Sequence, residues 1–305
     1  MRTRAGAHVP DVPSPVAGTF DDLVDVLRGL RLAVLTGAGV STDSGIPDYR
    51  GPGSPPRNPM TFQQFVGDPA FRRHYWARNH VGWRHVHRTR PNAGHRALAR
   101  LEERGVVTGL VTQNVDTLHE AAGSRRVVDL HGRYDRVLCL RCGARYTRDV
   151  VAERLEALNP GFADTVGAVD DPEIAPDADA VVERTEGFRV QDCWAPDPDG
   201  GPGPCCGLLK PDIVYFGETV PRDRVDEAYA LVDAADGLLV AGSSLAVQSG
   251  LRFVRHAVAQ GRPVAVVNRG ATRGDRLATV TLHSGTSETL TALAAVLPAP
   301  ATTPA

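Results

Sequence analysis

Lysine is nearly missing from this 305-residue chain: of 34 basic residues, only Lys210 is not arginine. That makes Lys210 the one side chain expected to be open to self-acylation. No run approaches the ~20 apolar residues that span a bilayer, so no membrane segment is expected. Neither sign of charge is in excess. A formal net charge of −2 gives no electrostatic reason for direct nucleic-acid binding or for contact with an anionic membrane. Residues 1–18 carry Arg2 and Arg4 but no apolar core. They read as a loose tail rather than a secretory signal, and a cytoplasmic protein is expected. Cysteines number five, all between Cys139 and Cys206. An odd, clustered set argues against a disulfide framework and for a metal.

What is present is ordinary for a folded globular chain, with 42% hydrophobic and 23% charged residues. Short apolar runs at 31–36 (RLAVLT), 106–112, 237–242 (GLLVAG) and 263–268 (PVAVVN) read as buried parallel strands, with a shorter candidate at 127–130. Helical patterns at 20–30, 92–103, 222–235, 249–260 and 286–297 alternate with them. Strand and helix alternating at this spacing predict an α/β fold, a doubly wound parallel (Rossmann-like) sheet with right-handed crossovers. Two excursions interrupt it. The expected division is a tail over 1–18 and a Rossmann-like domain from 19–48, 91–132 and 210–299. A helical insertion over 49–90 and a zinc-binding module over 133–209 form the smaller domain.

Four segments carry the chemistry. Gly37-Ala38-Gly39-Val40-Ser41 follows a strand and is expected to open a helix, where glycine lets backbone approach a pyrophosphate and helix amides meet its charge. The third glycine of the usual dinucleotide fingerprint is replaced by Thr42, and no acidic ribose reader follows at the usual distance. Gln113-Asn114-Val115-Asp116 ends a predicted strand, where amides and carboxylates face a ligand crevice; helix capping by Asn114 or Asp116 is the plainer reading. His131 ends a short apolar run beside Gly132, and an ordinary pKa near ~6.5 suits a general base; His95 and His119 are lesser candidates. Cys139-x2-Cys142, Cys193 and Cys205-Cys206 read as a four-thiolate structural zinc site without an open position for water. Cys139, Cys142 and Cys193 supply three of the thiolates, and either Cys205 or Cys206 the fourth.

The string from Gly37 through Ser44-Gly45-Ile46-Pro47-Asp48-Tyr49-Arg50 resembles the opening signature of the sirtuins, NAD-dependent protein-lysine deacylases. The resemblance runs from Phe20 to about Leu297 and looks like their class II branch, on Tyr75-Trp76-Ala77-Arg78-Asn79 and Ala122-Gly123-Ser124-Arg125-Arg126. It implies NAD contacts from Gly37, Ala38, Gly39, Ser41, Ile46, Pro47, Asp48, Tyr49 and Arg50. It adds Gln113, Asn114, Val115 and Asp116 at the nicotinamide ribose and carboxamide. Gly242, Ser243, Ser244, Asn268, Arg269, Gly270 and Thr286 would hold phosphate, ribose and adenine. His131 is implied as the base, with Asn114 beside it in catalysis, and the family pattern counted back from Lys210 implies Cys205 rather than Cys206 as the fourth zinc ligand. Val214, Phe216, Gly217 and Glu218 would form one wall of an acyl-lysine peptide cleft, with Ala246 and Val247 opposite. The implied reaction consumes NAD and releases nicotinamide and O-acyl-ADP-ribose; ADP-ribosyl transfer to a protein is the alternative. The Tyr-x-x-Arg pair that marks the desuccinylase-like branch is not evident between Arg50 and Phe65.

Overall fold

The computed structural model describes residues 17–49, 59–86, 88–167 and 185–300. Arg50 and the loop after it, most of the tail and the middle of the cysteine-bearing insertion lie outside the described residues.

Nine strands are described: β1 (Leu32–Thr36), β2 (Val107–Thr112), β3 (Val127–Asp129), β4 (Gly132–Cys139), β5 (Arg145–Thr147), β6 (Leu209–Ile213), β7 (Gly237–Ala241), β8 (Val264–Val267) and β9 (Val280–Leu282). Six form a parallel sheet in the order β3-β2-β1-β7-β8-β9. The order runs outward in opposite directions from β1 and β7. Their carboxyl ends therefore flank a topological switch point, where open α/β sheets bind ligands.

Strand β1 shows why the runs are continuous. Leu32 and Val34 pack with α1 (Phe20–Leu27), α4 (Ala93–Glu103) and α10 (Thr286–Val296) through Leu23, Leu27, Leu98, Leu101, Leu290 and Leu293. Ala33 and Leu35 pack on the other face with α8 (Arg222–Asp233) and α9 (Gln248–Ala259) through Leu231, Val232, Leu251 and Phe253. Alternate residues of a strand point to opposite faces, so a strand covered on both sides must be apolar throughout.

The second sheet is antiparallel, in the order β5-β4-β6. Helices α2 (Phe62–Gly67), α3 (Pro69–Val86) and α6 (Arg148–Leu158) accompany it, with short α5 (Leu118–Ala121) and α7 (Phe162–Gly167) elsewhere in the chain. Phe65, Tyr75, Trp76, Tyr134, Val137, Leu155 and Leu209 share one apolar cluster, so the helical insertion and the cysteine-bearing insertion pack together. Arg148 is fully buried there. Its guanidinium donates to Asn79 Oδ1 at 2.9 and 3.1 Å and lies over the rings of Trp76 and Trp83.

Several expectations change. Residues 209–213 join the smaller sheet against β4, although Lys210 onward was expected in the larger domain. An apolar run does not reveal which edge it pairs with. Lys210 is 3% exposed, with Nζ donating to the Ile213 carbonyl at 2.5 Å and to Glu218 Oε2 at 3.0 Å. It is not open to self-acylation. Strand β9, helix α6 and helix α7 were not anticipated. The Gly37 turn opens two short 3₁₀ turns, Ala38–Val40 and Thr42–Ser44, instead of the expected α-helix.

The two sheets meet where β3 runs into β4. The chain crosses at His131-Gly132, and the Val214 amide donates to the His131 carbonyl at 2.8 Å. Gly132 has φ +85°, and a Cβ there would overlap the Asp212 carbonyl oxygen. Gly143 has a similar φ of +71° with open space around it. Gly143→Ala is therefore expected to cost about 1–2 kcal/mol from its left-handed backbone alone. Gly132→Ala should cost about 3 kcal/mol or more, because overpacking is added. Urea unfolding of both variants checks this, and equal losses would contradict the crowded junction.

Candidate active site

A cavity of about 880 Å³ lies over the switch point, between the carboxyl ends of the larger sheet and the segment after β6. Every expected cofactor-binding, catalytic and peptide-cleft residue lines it except Arg50, which lies outside the described residues.

Its floor starts with glycine backbone packed on glycine backbone. The Gly39 amide donates to the Gly242 carbonyl at 2.8 Å, and the Gly37 amide to the Ala241 carbonyl at 3.2 Å. A Cβ at Gly37 or Gly39 would stand 2.9 Å from Gly242 backbone atoms. Side chains are excluded there because two strand ends converge. Thr286 Oγ1, at the start of α10, donates to the Gly39 carbonyl at 3.1 Å. Asn268 Nδ2 ties down its own turn through the Gly270 carbonyl at 2.7 Å, and Arg269 reaches Asp43 at 3.5 Å.

The polar string after β2 locks this turn from the side. Ser41 Oγ donates to Asp116 Oδ2 at 2.7 Å and accepts from Asn114 Nδ2 at 3.1 Å. Asp116 Oδ1 also accepts the Leu118 amide at 3.0 Å, so the plainer capping role is real alongside the cavity position. Burial pushes the Asp116 carboxyl up, and the bonds from Leu118 and Ser41 oppose it. Gln113 Nε2 donates to Ser243 Oγ at 2.8 Å and to the Thr36 carbonyl at 3.2 Å, joining β1, β2 and β7.

His131 is next along the floor. Its Nδ1 lies 3.0 Å from the Gln113 carbonyl and its Nε2 2.8 Å from Ser249 Oγ. A carbonyl only accepts, so Nδ1 carries the proton and Nε2 of the neutral ring is an acceptor facing the Ser249 hydroxyl. Burial pushes the ring down to about 4, against the Gln113 bond and with help from Arg224 and Arg252. The ordinary value expected from sequence is thus corrected: the ring is neutral well below pH 6.5. Because the folded value is the lower one, the stability that His131 contributes is complete above about 6.5. It is lost as pH falls toward about 4. His95 and His119 do not line the cavity, although His95 Nε2 lies 3.5 Å from Ser41 Oγ in its floor. They are buried with ring centroids 4.8 Å apart, and His119 Nε2 is bound to Thr36 Oγ1 at 2.9 Å.

On the opposite wall, Val214 through Glu218 leave β6, and the Phe62 amide pairs with the Phe216 carbonyl at 2.9 Å. The Glu218 carboxylate lines the cavity but is committed to Lys210 and to the Tyr215 amide at 2.9 Å. Facing them, the Ala246 carbonyl accepts from Arg273 at 2.7 Å.

The cysteines gather beyond the smaller sheet. The Sγ atoms of Cys139, Cys142, Cys193 and Cys205 all lie within 4.8 Å of one another, with Cys139–Cys205 at 3.8 Å and Cys142–Cys193 at 3.6 Å. A Zn–S bond of about 2.3 Å puts tetrahedral sulfurs about 3.8 Å apart, so this donor set fits zinc. Cys206 is exposed and outside the group. A Cβ at Gly207 would stand 2.6 Å from Cys139 Sγ, which explains a glycine beside the cluster.

Residues 37–249, which hold the glycine turn, the polar string, His131 and all the cysteines, match the Sir2 family. The chain belongs to that family, the sirtuins. It is 64% identical over 273 residues to NAD-dependent protein deacetylase 1 of Mycobacterium avium, covering 90% of this chain and 94% of that one. It is 50% identical over 275 residues to NAD-dependent protein deacetylase 1 of Streptomyces coelicolor, covering 90% and 87%. A solved Sir2 structure with a p53 peptide and NAD+ aligns at a TM-score of 0.65 and 30% identity, covering 90% of this chain and 97% of that one. Sir2Tm bound to a propionylated peptide aligns at 0.67 and 29%, with the same coverage.

This sirtuin chain also brings to the cavity residues that were not expected there. Ser249, Gln248 and Arg252 of α9 line it, as do Tyr75 of α3 and Leu245. Ser249 lies 118 residues from the histidine it touches, and no local pattern could have paired them. Leu245 could have been suspected only from its neighbours; it adopts φ +52° within the turn after β7.

The thiolate assignment predicts one zinc per chain. Cys205→Ser should lose the metal and lower the melting temperature by several degrees, since metal binding is coupled to folding. Cys206→Ser should keep both. Zinc content by elemental mass spectrometry decides, and loss of metal from Cys206→Ser alone would contradict the assignment.

Proposed function

We propose that this chain is an NAD-dependent protein-lysine deacetylase whose reaction runs in the cavity between the two sheets. The observation that carries the reading is the neutral His131 ring, its Nε2 an acceptor, at one end of a floor that begins with a glycine-on-glycine turn. The cavity is large enough for NAD, and the converging backbone at Gly37, Gly39 and Gly242 suits a pyrophosphate. Bound NAD would supply an electrophilic ribose carbon and nicotinamide as a leaving group.

The chain's own residues divide the remaining work. Ala38, Gly39, Ser41, Ser243 and Ser244 hold the diphosphate and its ribose. Asn268, Arg269, Gly270 and Thr286 hold the adenosine end. Ile46, Pro47, Asp48 and Tyr49 close the nicotinamide pocket with Asn114, Val115 and Asp116. Asn114 orients the reacting ribose, and His131 Nε2 receives its hydroxyl proton. Ser249 keeps that nitrogen an acceptor until then. An extended acyl-lysine segment lies between Val214–Glu218 and Ala246–Val247, where backbone pairing gives affinity with little sequence selectivity. One water is consumed, and the products are nicotinamide, O-acyl-ADP-ribose and the free lysine side chain.

The zinc has a structural part only, because four thiolates leave no position for a reacting ligand. Thiols gathered as a metal site suit a reducing compartment, which supports the cytoplasm as the proposed location. Among the described residues, no helix is long and apolar enough to cross a membrane. Acyl-lysine proteins are the partners proposed, and the charge balance motivates no nucleic-acid partner. The deacetylases at 64% and 50% identity favour deacetylation over ADP-ribosyl transfer.

Purified protein with NAD and an acetyl-lysine peptide should release nicotinamide in step with loss of the acetyl group. His131→Ala should lower turnover by about 10²- to 10⁴-fold, the span of a lost general base, while calorimetry still detects NAD binding. Undiminished turnover in that variant would end the assignment of the base.

A further inference from the structure

The two nitrogens of His131 meet oxygens of different kinds. Nδ1 faces the Gln113 carbonyl at 3.0 Å, which only accepts, and Nε2 faces the Ser249 hydroxyl at 2.8 Å, which donates or accepts. These two partners are seated on each other. A Cβ at Gly250 would stand 2.6 Å from Gln113 Oε1, and Gln113 Nε2 is held by Ser243 Oγ at 2.8 Å. The first turn of α9 thus rests on the residue that holds the far side of the ring.

A base that takes a proton becomes a cation, and the surroundings of this ring oppose one. The side-chain charges that act on it are Arg224 of α8 and Arg252 of α9, both positive. Ser249 is the second residue of α9, so the positive end of that helix is close as well. Among the described residues no carboxylate is bonded to the ring. Asp212 is paired with Arg224 at 2.6 Å, Asp116 is bonded to Ser41 and Leu118, Glu218 is bonded to Lys210 and Tyr215, and Asp48 has an interaction of its own. Two oxygens, from Gln113 and Ser249, are what the ring has.

Only a group that both donates and accepts serves Nε2 before and after it gains a proton. On the neutral ring the Ser249 hydroxyl donates to Nε2. On the charged ring the same oxygen accepts from it, after its hydrogen rotates about the Cβ–Oγ bond. A carbonyl there would serve the charged ring alone, and an amide N–H the neutral ring alone.

We infer that Ser249 is a positioning residue of the proton transfer, its hydroxyl holding Nε2 as an acceptor before the step and accepting the new Nε2–H after it. This rests on His131 being the base of the reaction proposed above. In the step the O–H bond of a ribose hydroxyl breaks, an Nε2–H bond forms, and the ribose oxygen keeps the electron pair. The Ser249 hydrogen turns aside as that proton arrives, which presents an oxygen lone pair to it.

Ser249→Ala removes the hydroxyl and Ser249→Thr keeps it. In the enzyme without NAD at pH 7, nitrogen-15 NMR of labelled histidine reads the hydrogen bond at Nε2, the His131 signal being the one missing from His131→Ala. That signal should move to the position of an unbonded acceptor in Ser249→Ala and stay near the wild-type position in Ser249→Thr. With NAD and an acetyl-lysine peptide, Ser249→Ala should lose about 10- to 100-fold in kcat, the span of a hydrogen bond to a charged group, with little change in NAD affinity by calorimetry. Ser249→Thr should recover most of that loss.

A kcat in Ser249→Ala equal to or above wild type overturns the inference, because a hydroxyl that merely capped the base would free it on removal. An equal loss in Ser249→Thr also overturns it, by assigning the effect to packing. If Ser249→Ala does not fold, the wild-type spectrum decides, and a His131 signal already at the unbonded position overturns it. Turnover lost in His131→Ala but kept in Ser249→Ala sinks this inference alone. Turnover kept in His131→Ala sinks the base assignment with it.

Discussion

The structure depends on one crowded crossing. At His131-Gly132 the chain leaves the parallel sheet and enters the antiparallel one, and it does so against the end of β6 with no space for a side chain at residue 132. The hydrogen bond from Val214 to the His131 carbonyl fixes the wall of the cleft to the same point. One backbone junction thus sets the imidazole, the Val214–Glu218 wall and the relative placement of the two sheets. Rigid placement matters for the proposed role of His131, since a base acts only within hydrogen-bond reach of its proton.

From that junction the site extends as a connected floor. Each side chain is held by its neighbour before any ligand arrives: Gln113 by Ser243, Asn114 and Asp116 by Ser41, His131 by Gln113 and Ser249. Such preorganisation means the groups need little reordering when charge develops. The thiolate cluster lies outside this floor. It gathers the end of β4 and the return segment before β6 at one point.

Most of the larger sheet was legible because its strands are covered on both faces and so are buried at every position and almost wholly apolar, as in β1 and β7. The edge strand β9 was not, being three residues long with Thr281 at its centre. The β6 run was visible, but pairing is a long-range property, and Lys210 within it was taken for an exposed residue. Helix α6 lies between the two halves of the cysteine set, and its sequence RDVVAERLEAL carries the helical spacing that marks it. In the site, contiguous strings disclosed the glycine turn, the polar strand end and the four sulfurs. Ser249 and Arg252 have no motif and reach the cavity only through packing of α9. The depressed basicity of His131 was equally invisible, since burial is set by neighbours distant in sequence.

The central claim is that NAD lies along this floor with its reacting ribose beside His131. A crystal structure with NAD and an acyl-lysine peptide tests it most directly. The account predicts the diphosphate against Ala38, Gly39 and Ser41, and a ribose hydroxyl within hydrogen-bond distance of His131 Nε2. A dinucleotide bound in another cleft, or a ribose facing away from that nitrogen, would contradict it.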